Sequence, residues 1–416
     1  MMIEVTSNRL NLIPYISGLL EYNYIIYSIF EGSVPGKIYV DELPKPNVIL
    51  VWDGTSDSGI YIEGRYTPQI AEEINRIILQ EIFDQSKNYE DCLDFTCCWA
   101  PHSEWEKYLD DEIFKSILIQ HNKRSFYAFN RQQEIGVKWR DLLPNQLTLI
   151  LYEKNTQNSS GLRLFNPNNE LSNETFDIQK FDGFSKLNET LQYSKDPFAC
   201  VIVDLKNQKL VTRVFSDWNS EKYLEIGIFT DPKYRKQGLG SIAVAAMIEI
   251  ALERGYDHIG WHCWIENEAS AKTALRAGFK FDRTHPVRHA WYNQFDNLFI
   301  HDDYLIENQR FEESVLIFND LLEHIENQTQ AYETSYFRKQ TYYSRWLQFL
   351  QIINYANATN ESGAINALNN RIKEDFDDPQ AFLDELHSKI VIKSIWQNKE
   401  WQKLIENLLD KNRIIQ

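Results

Sequence analysis

The 416-residue chain has few cysteines and an odd number of them: Cys92, Cys97, Cys98, Cys200 and Cys263. No two are spaced C-x-x-C, the pattern of redox dithiols and of many zinc sites, so buried free thiols in a reducing compartment are expected. His102 near the Cys97-Cys98 pair fits no usual ligand spacing, and no metal is expected. Positive charge is also short, with 43 Lys and Arg against 60 Asp and Glu and a net charge of -17. That deficit argues against nucleic acid, whose binding comes from Lys and Arg neutralising phosphates. It leaves room for a cationic substrate, or for nothing more than a solvated acidic surface. No apolar run reaches the roughly 20 residues that a membrane-spanning helix needs. The start, Met1-Met-Ile-Glu-Val5, is no secretory signal. A cytoplasmic protein with neither membrane nor nucleic acid as partner is expected.

Against these absences one stretch is dense in structure signals. Tyr223-Leu-Glu-Ile-Gly-Ile-Phe-Thr230 reads as a strand, and Asp231-Pro232 as a turn. Arg235-Lys-Gln-Gly238-Leu-Gly240-Ser241 then leads into Ile242 to Leu252, apolar nearly all round and so a buried helix, closed by Gly255. His258 to Trp264 is a second strand. Asn267 caps a second helix that closes at Gly278. Two glycines in the loop keep side chains out of the way of a ligand. The backbone N–H groups at the helix start, with the helix dipole and Lys233, Arg235 and Lys236, make a diphosphate cradle. The loop lacks Gly-Lys-Ser/Thr, so it is not a Walker A loop, and it is not the dinucleotide G-x-G-x-x-G.

The pattern Arg235-x-x-Gly238-x-Gly240 between a strand and a long helix, with Asn267-Glu-Ala-Ser270, Ala274 and Ala277-Gly278-Phe279 behind it, resembles the acetyl-CoA motif of the GNAT N-acetyltransferase superfamily. The motifs cover about residues 175 to 290. More loosely, Gly36-Lys-Ile-Tyr39, Leu50-Val-Trp-Asp-Gly54 and Trp261-His-Cys-Trp264 look like a bacterial subgroup in which an N-terminal α/β half precedes the catalytic half. The resemblance implies an α/β fold with a mixed central sheet. It implies acetyl-CoA as co-substrate, held by Gln237, Gly238, Leu239, Gly240 and Ser241 with Arg235 and Lys236. Ile228 and Thr230 would offer backbone groups to the pantetheine arm. Asn267 would approach from the second helix, or serve only as its N-cap.

The implied activity is acetyl transfer to a primary amine of a small molecule or peptide. A lysine-like amine has a pKa of about 10.4, so neutralising it at pH 7 costs roughly 4 to 5 kcal/mol. A positioned base gives about a hundredfold to ten-thousandfold. Glu225 is the first candidate, against the alternative of a solvent-facing strand carboxylate. His262 is the second, against that of a core histidine between Trp261 and Trp264. Many family members carry a tyrosine as general acid where this chain has Ala274. Cys263, a tyrosine from elsewhere, or water would have to serve. That departure keeps open a second reading, a non-catalytic protein of the same fold that holds coenzyme A or binds a protein partner through its helical tail.

The expected division is residues 1 to 140, an α/β half without a glycine loop that can be read as a degenerate copy of the fold, residues 141 to 290, the acetyltransferase domain that the resemblance implies, and residues 291 to 416, a helical region. In the first part Asn47 to Trp52 and Gly59 to Ile62 read as strands. Thr67-Pro68 opens a helix, Leu93 to Trp99 alternates as a strand, and Ser103 and Glu106 form a capping box. The polar stretches Asn155 to Ser160 and Asn166 to Asn169 are the boundary candidate. Two strands flank Lys206-Asn207. In the last part Tyr304 to Phe318 weakly resembles the helix-turn-helix of a tetratricopeptide unit. Helices follow at about Tyr332 to Tyr355, Glu361 to Glu374 and Pro379 to Trp396, a region expected to be dispensable for cofactor binding.

Overall fold

A computed structural model describes residues 1–415 apart from 56–57, 89–91, 154–162, 166–176, 192–193, 375 and 377. The polar boundary stretches at 155–160 and 166–169 therefore lie outside the described residues. The chain forms two compact units. One comprises Met1–Cys92, Thr96–Ile113 and His121–Arg288, and the other Leu93–Phe95, Phe114–Gln120 and His289–Gln416.

The strands are, in chain order, β1 (Ile3–Glu4), β2 (Gly36–Val40), β3 (Val48–Asp53), β4 (Gly59–Gly64), β5 (Asp94–Trp99), β6 (Gln120–Asn130), β7 (Leu147–Glu153), β8 (Arg163–Phe165), β9 (Phe198–Asp204), β10 (Lys209–Asn219), β11 (Tyr223–Thr230), β12 (His258–Trp264) and β13 (Lys280–Trp291). They join one 13-stranded sheet in the order β1-β2-β3-β4-β5-β13-β6-β12-β11-β10-β9-β7-β8. The fold is thus α/β with a mixed sheet. β3 and β9 are buried along their whole length, as their nearly unbroken apolar sequences require of strands covered on both faces.

The same connectivity occurs twice. β2, β3 and β4 pair antiparallel, and a helical segment from Pro68 to Ser86 crosses over to β5, parallel to β4. β9, β10 and β11 pair antiparallel, and a helix crosses over to β12, parallel to β11. The copies differ in how far the parallel pair runs. β4 and β5 stay paired from Gly59↔Thr96 to Ile62↔Trp99. β11 and β12 pair only from Tyr223↔His258 to Glu225↔Gly260, although β11 continues to Thr230 and β12 to Trp264. Past Glu225 the two strands part, and the facing edge of β11 is no longer paired to β12.

Three helices place the site: α1 (Ile25–Glu31), α2 (Leu239–Glu253) and α3 (Glu268–Ala277). On one face of the sheet α2, buried nearly all round, packs with α3 against Leu224, Tyr127, Ile259, Trp261 and Cys263. On the other, the N-terminal helical segment with Leu20, Tyr22, Ile25 and Ile29 covers Phe126 and Trp218. None of the five cysteines is in a disulfide, and all five are buried. Thr67 caps the Pro68–Ile77 helix, its hydroxyl accepting from the Ile70 N–H at 3.3 Å. The expected capping box fails. Ser103 makes no side-chain cap, and only short turns, Glu104–Lys107 and Leu109–Ile113, follow it.

The second unit is built on helices Gln294–Glu307, Phe311–Glu326, Tyr343–Asn357, Glu361–Arg371, Pro379–Lys389 and Lys399–Ile415 around Phe295, Phe299, Leu350 and Trp401. The tetratricopeptide-like stretch is a helix-turn-helix, with Gln309 at φ 58° in the turn. The helix expected over Tyr332 to Tyr355 is broken between Thr334 and Tyr343. The carboxylate of Asp296 is the reason, since it accepts from the Ser335 hydroxyl and from the N–H groups of Tyr336 and Phe337, which removes those groups from helical pairing. The stretch expected as one helix from Pro379 to Trp396 also breaks, after Lys389. No helix among the described residues is long and apolar enough to cross a membrane.

Candidate active site

The glycine loop leaves β11 at Thr230. Asp231 fixes the turn, accepting from the Lys233 N–H at 2.9 Å and from the Lys209 ammonium at 2.7 Å. That hydrogen bond first, and then the charge of Lys209, hold its carboxyl below the usual range. Arg235 donates from Nε to the Thr230 carbonyl at 3.0 Å and so ties the loop back to the strand. Lys236 and Gly238 both have positive φ, 61° and 78°. Gly238 is the N-cap of α2 and offers no side-chain cap, so the first N–H groups of the helix point outward without an internal acceptor. A Cβ on Gly240 would stand 3.2 Å from Ile228 Cδ1 and 3.4 Å from Thr273 Cγ2, so the missing side chain lets α2 start close to β11 and α3. Lys233, Arg235, Lys236 and Gln237 are exposed around this cradle, while Leu239 and Ser241 are buried as the helix begins. Sequence reasoning did not find Arg276. Its guanidinium lies 3.3 Å from where a Gly238 Cβ would be, which adds a positive charge over the loop.

Ile228 and Thr230 lie on the part of β11 that has parted from β12, with their other edge paired to Val214 and Thr212 of β10. Asn267 is an N-cap in fact, its Oδ1 accepting from the Ser270 N–H at 3.1 Å, and its remaining surface is exposed.

Glu225 and His262 are brought together. Glu225 is the last β11 residue paired to β12, opposite Gly260, and His262 lies two residues further along β12 on the same face. Glu225 Oε1 lies 3.0 Å from His262 Nδ1. The carboxylate side chain is 6% exposed and the imidazole 21%, so the histidine is the more exposed member. Gly260 makes this geometry possible. A Cβ there would fall 2.1 Å from Glu225 Oε2 and 2.9 Å from the ring of Tyr24. A glycine inside a strand often marks such a close approach, and that signal was legible in Ile259-Gly-Trp261.

Two cavities share Glu225, Tyr22, Tyr24 and Phe126. One also meets His262, Arg124, Tyr61 and Trp218. The other also meets Glu21, Gly260 and Asp282. Burial, and then the charge of Glu225, push the Tyr24 phenol up and keep it protonated. Tyr24 packs against Tyr223, which stacks on Tyr27 at 4.4 Å. The N-terminal residues of the pocket were not singled out from sequence, because nothing local ties Tyr22 to a strand two hundred positions away. Cys263 alternates with His262 and joins the core on the opposite face, and burial raises its thiol. Ala274 is fully buried on the inner face of α3. Among the described residues no group of three or more His, Cys, Asp or Glu is placed to hold a metal ion.

The sequence matches the family model described as GNAT acetyltransferase over residues 18–287. No curated protein matches it. Among solved structures, a GCN5-related N-acetyltransferase-like protein from Streptococcus suis is 17% identical, with a TM-score of 0.47 over 69% of this chain and 100% of that one. A tandem GNAT protein from the clavulanic acid biosynthesis pathway is 10% identical, with a TM-score of 0.43 over 70% of this chain and 98% of that one. A GCN5-related N-acetyltransferase from Sphaerobacter thermophilus is 9% identical, with a TM-score of 0.42 over 70% and 96%. Likeness at this level carries no argument, and the assignment to a family rests on the match over residues 18–287.

Proposed function

The chain belongs to the GNAT acetyltransferase family, and from its site we propose that it is an acetyl-CoA-dependent N-acetyltransferase acting on a primary amine of a small molecule or peptide. The observation that carries this reading is the Glu225–His262 pair at 3.0 Å, set where β11 and β12 part. The cradle fits the co-substrate. Gly238 and Gly240 leave room that a Cβ would fill, and the start of α2 faces outward among Arg235, Lys236 and Arg276. Gln237, Leu239 and Ser241 supply the remaining backbone of that cradle, Ile228 and Thr230 offer the edge of β11 beyond its pairing to β12, and Asn267 borders it. Bound there, acetyl-CoA supplies an activated acetyl thioester.

The chain's own residues handle the proton. With Nδ1–H donating to Glu225, the lone pair of His262 lies on Nε2, the tautomer a general base needs. His262 takes the proton of the incoming ammonium or amine, and Glu225 holds the ring and stabilises its positive charge. Strand alternation turns Cys263 away from the pocket, so it is not the donor to the leaving group. Water suffices for that role, since a thiol with a pKa of about 8.5 leaves readily. Residues 1 to 140 supply much of the acceptor pocket, residues 141 to 290 the cofactor cleft and the catalytic pair, and residues 291 to 416 a helical region open to a protein partner.

The reading is tested by thiol release from acetyl-CoA across an amine library, comparing wild type with Glu225→Gln and His262→Gln. Turnover should fall by about a hundredfold or more in each variant, with acetyl-CoA affinity retained. Ala274, where many relatives carry the acid, favours the second reading, a coenzyme A-binding protein without turnover. Tight binding of acetyl-CoA with no acceptor acetylated would select it.

A further inference from the structure

We infer that the acceptor is a diamine: besides the amine that is acetylated it carries a second ammonium, and the cavity beside Gly260 binds that group. The inference rests on the acetyltransferase reading above, whose acceptor it specifies. Strand register builds the cavity. Glu225 of β11 stands opposite Gly260 of β12, and Gly260 opposite Ala128 of β6. Directly opposed residues share a face of the sheet. One row therefore runs from a carboxylate, over a residue with no side chain, to a residue with only a methyl. Phe126 lies two residues from Ala128 on β6 and projects to the same face. Tyr22 packs edge-on against Phe126 with ring centroids 4.8 Å apart, and Tyr24 lines the cavity beside it. The row is thus a trough, with rings for walls and Glu225 at one end.

The two carboxylate oxygens of Glu225 are divided between the two cavities. Oε1 lies 3.0 Å from Nδ1 of His262, which lines the first. Oε2 faces Gly260, close to where a Cβ would stand, in the second. Among the described residues none donates a hydrogen bond to Oε2. The residue is 4% exposed, and a carboxylate oxygen so placed without a donor is costly. Glu21 and Asp282 line the same cavity, and none of its described lining residues is Lys, Arg or His. Arg283 pairs with both, at 3.1 Å from Glu21 and 2.6 Å from Asp282. One positive charge answers two negative ones, and the cavity keeps a negative field. The Tyr24 phenol responds to that field. Burial first, then Glu225, and further on Asp282, push it up. An ammonium is what such a place stabilises. It donates to Oε2, and the ring faces of Tyr22, Tyr24 and Phe126 attract cations. The reacting amine does not fill this role, because it gives its proton to His262 on the other side of the carboxylate. A monoamine would leave Oε2 to water alone, whereas a diamine answers both oxygens at once.

The test is a matched series with acetyl-CoA. Putrescine and cadaverine are compared with the amino alcohols of the same length, which keep one amine and replace the second ammonium by a neutral hydroxyl. The readout is the ratio of kcat/KM, per reactive amine, for diamine over amino alcohol. Wild type should prefer the diamine by about tenfold to hundredfold, mainly through KM. In Asp282→Asn the preference should fall by about threefold, with kcat for the amino alcohols unchanged. Calorimetry with coenzyme A present separates the subsite from the chemistry, since putrescine binding should survive His262→Gln and be lost in Glu225→Gln. A wild-type ratio near one overturns the inference, as does unchanged putrescine affinity in a Glu225→Gln protein that melts cooperatively. If Glu225→Gln does not fold, the Asp282→Asn ratio decides, a fall supporting the inference and an unchanged ratio overturning it. If wild type acetylates no amine, the acetyltransferase reading fails separately, and the calorimetry decides the subsite. Putrescine bound by wild type and not by Glu225→Gln supports it, and no binding overturns it.

Discussion

Replacing Gly260 with alanine is the sharpest perturbation of the proposed catalytic pair, because it substitutes neither member. The added Cβ would lie 2.1 Å from Glu225 Oε2 and 2.9 Å from the Tyr24 ring. Ordinary contacts between such atoms are about 3.5 Å. The carboxylate must therefore retreat by roughly 1 Å or more, and the 3.0 Å contact to His262 cannot survive unchanged. Neither neighbour has an easy way out, since Glu225 is 4% exposed and Tyr24 packs against Tyr223. Overpacking of this kind costs about 1 to 3 kcal/mol of stability. A misplacement of about 1 Å at a catalytic group costs on the order of a hundredfold in rate. Gly260→Ala should thus lower thiol release from acetyl-CoA by about a hundredfold while leaving acetyl-CoA affinity by calorimetry within about twofold of wild type, because the glycine loop lies beyond the point where β11 and β12 part. A folded Gly260→Ala protein with wild-type turnover would refute the claim that the contact between Glu225 and His262 drives the chemistry.

Two further outcomes are expected. Gly238→Val forces a β-branched residue to φ 78° and crowds Arg276, so acetyl-CoA affinity should drop by about tenfold or more in a protein that still melts cooperatively, and unchanged calorimetry would misplace the cofactor site. In the helical unit, burial pushes the Asp302 carboxyl up to about 8, while it accepts from Ser314 at 2.6 Å and Asn354 at 2.9 Å. Its unfolded value is about 3.9, so between the two the folded state holds the extra proton, and stability is full below about pH 4 and declines as pH rises toward 8. Asp302→Asn should flatten that slope and melt a few degrees above wild type near pH 8, with no advantage near pH 4. The same pH dependence of melting in both proteins would show that Asp302 ionises freely.

The cradle was legible in sequence because its physics is local. Glycines, cations and a helix start fall within Arg235 to Ser241, and the structure finds both Gly238 and Lys236 at positive φ. Glu225 and His262 were each legible as candidates but not as a pair. Their contact depends on β11 and β12 being parallel neighbours in a register that puts Glu225 opposite Gly260. The pocket beside Glu225 was not legible, because Tyr22, Tyr24 and Phe126 reach it through packing between distant segments, which leaves no periodic trace. The helical region was read correctly in kind and wrongly in continuity. Apolar spacing persists through Tyr332 to Tyr355, and only the buried carboxylate of Asp296 reveals why the chain turns at Ser335.

Simultaneous detection of thiol release and acetylated product tests the central claim most directly, with acetyl-CoA, an amine library and the full chain. Wild type should release one thiol per amine acetylated, and the Glu225→Gln/His262→Gln double variant should lose no more than the worse single variant, because the two residues act as one unit. A wild-type protein that binds acetyl-CoA tightly yet acetylates no amine in the library would contradict the account and leave a coenzyme A-binding protein in its place.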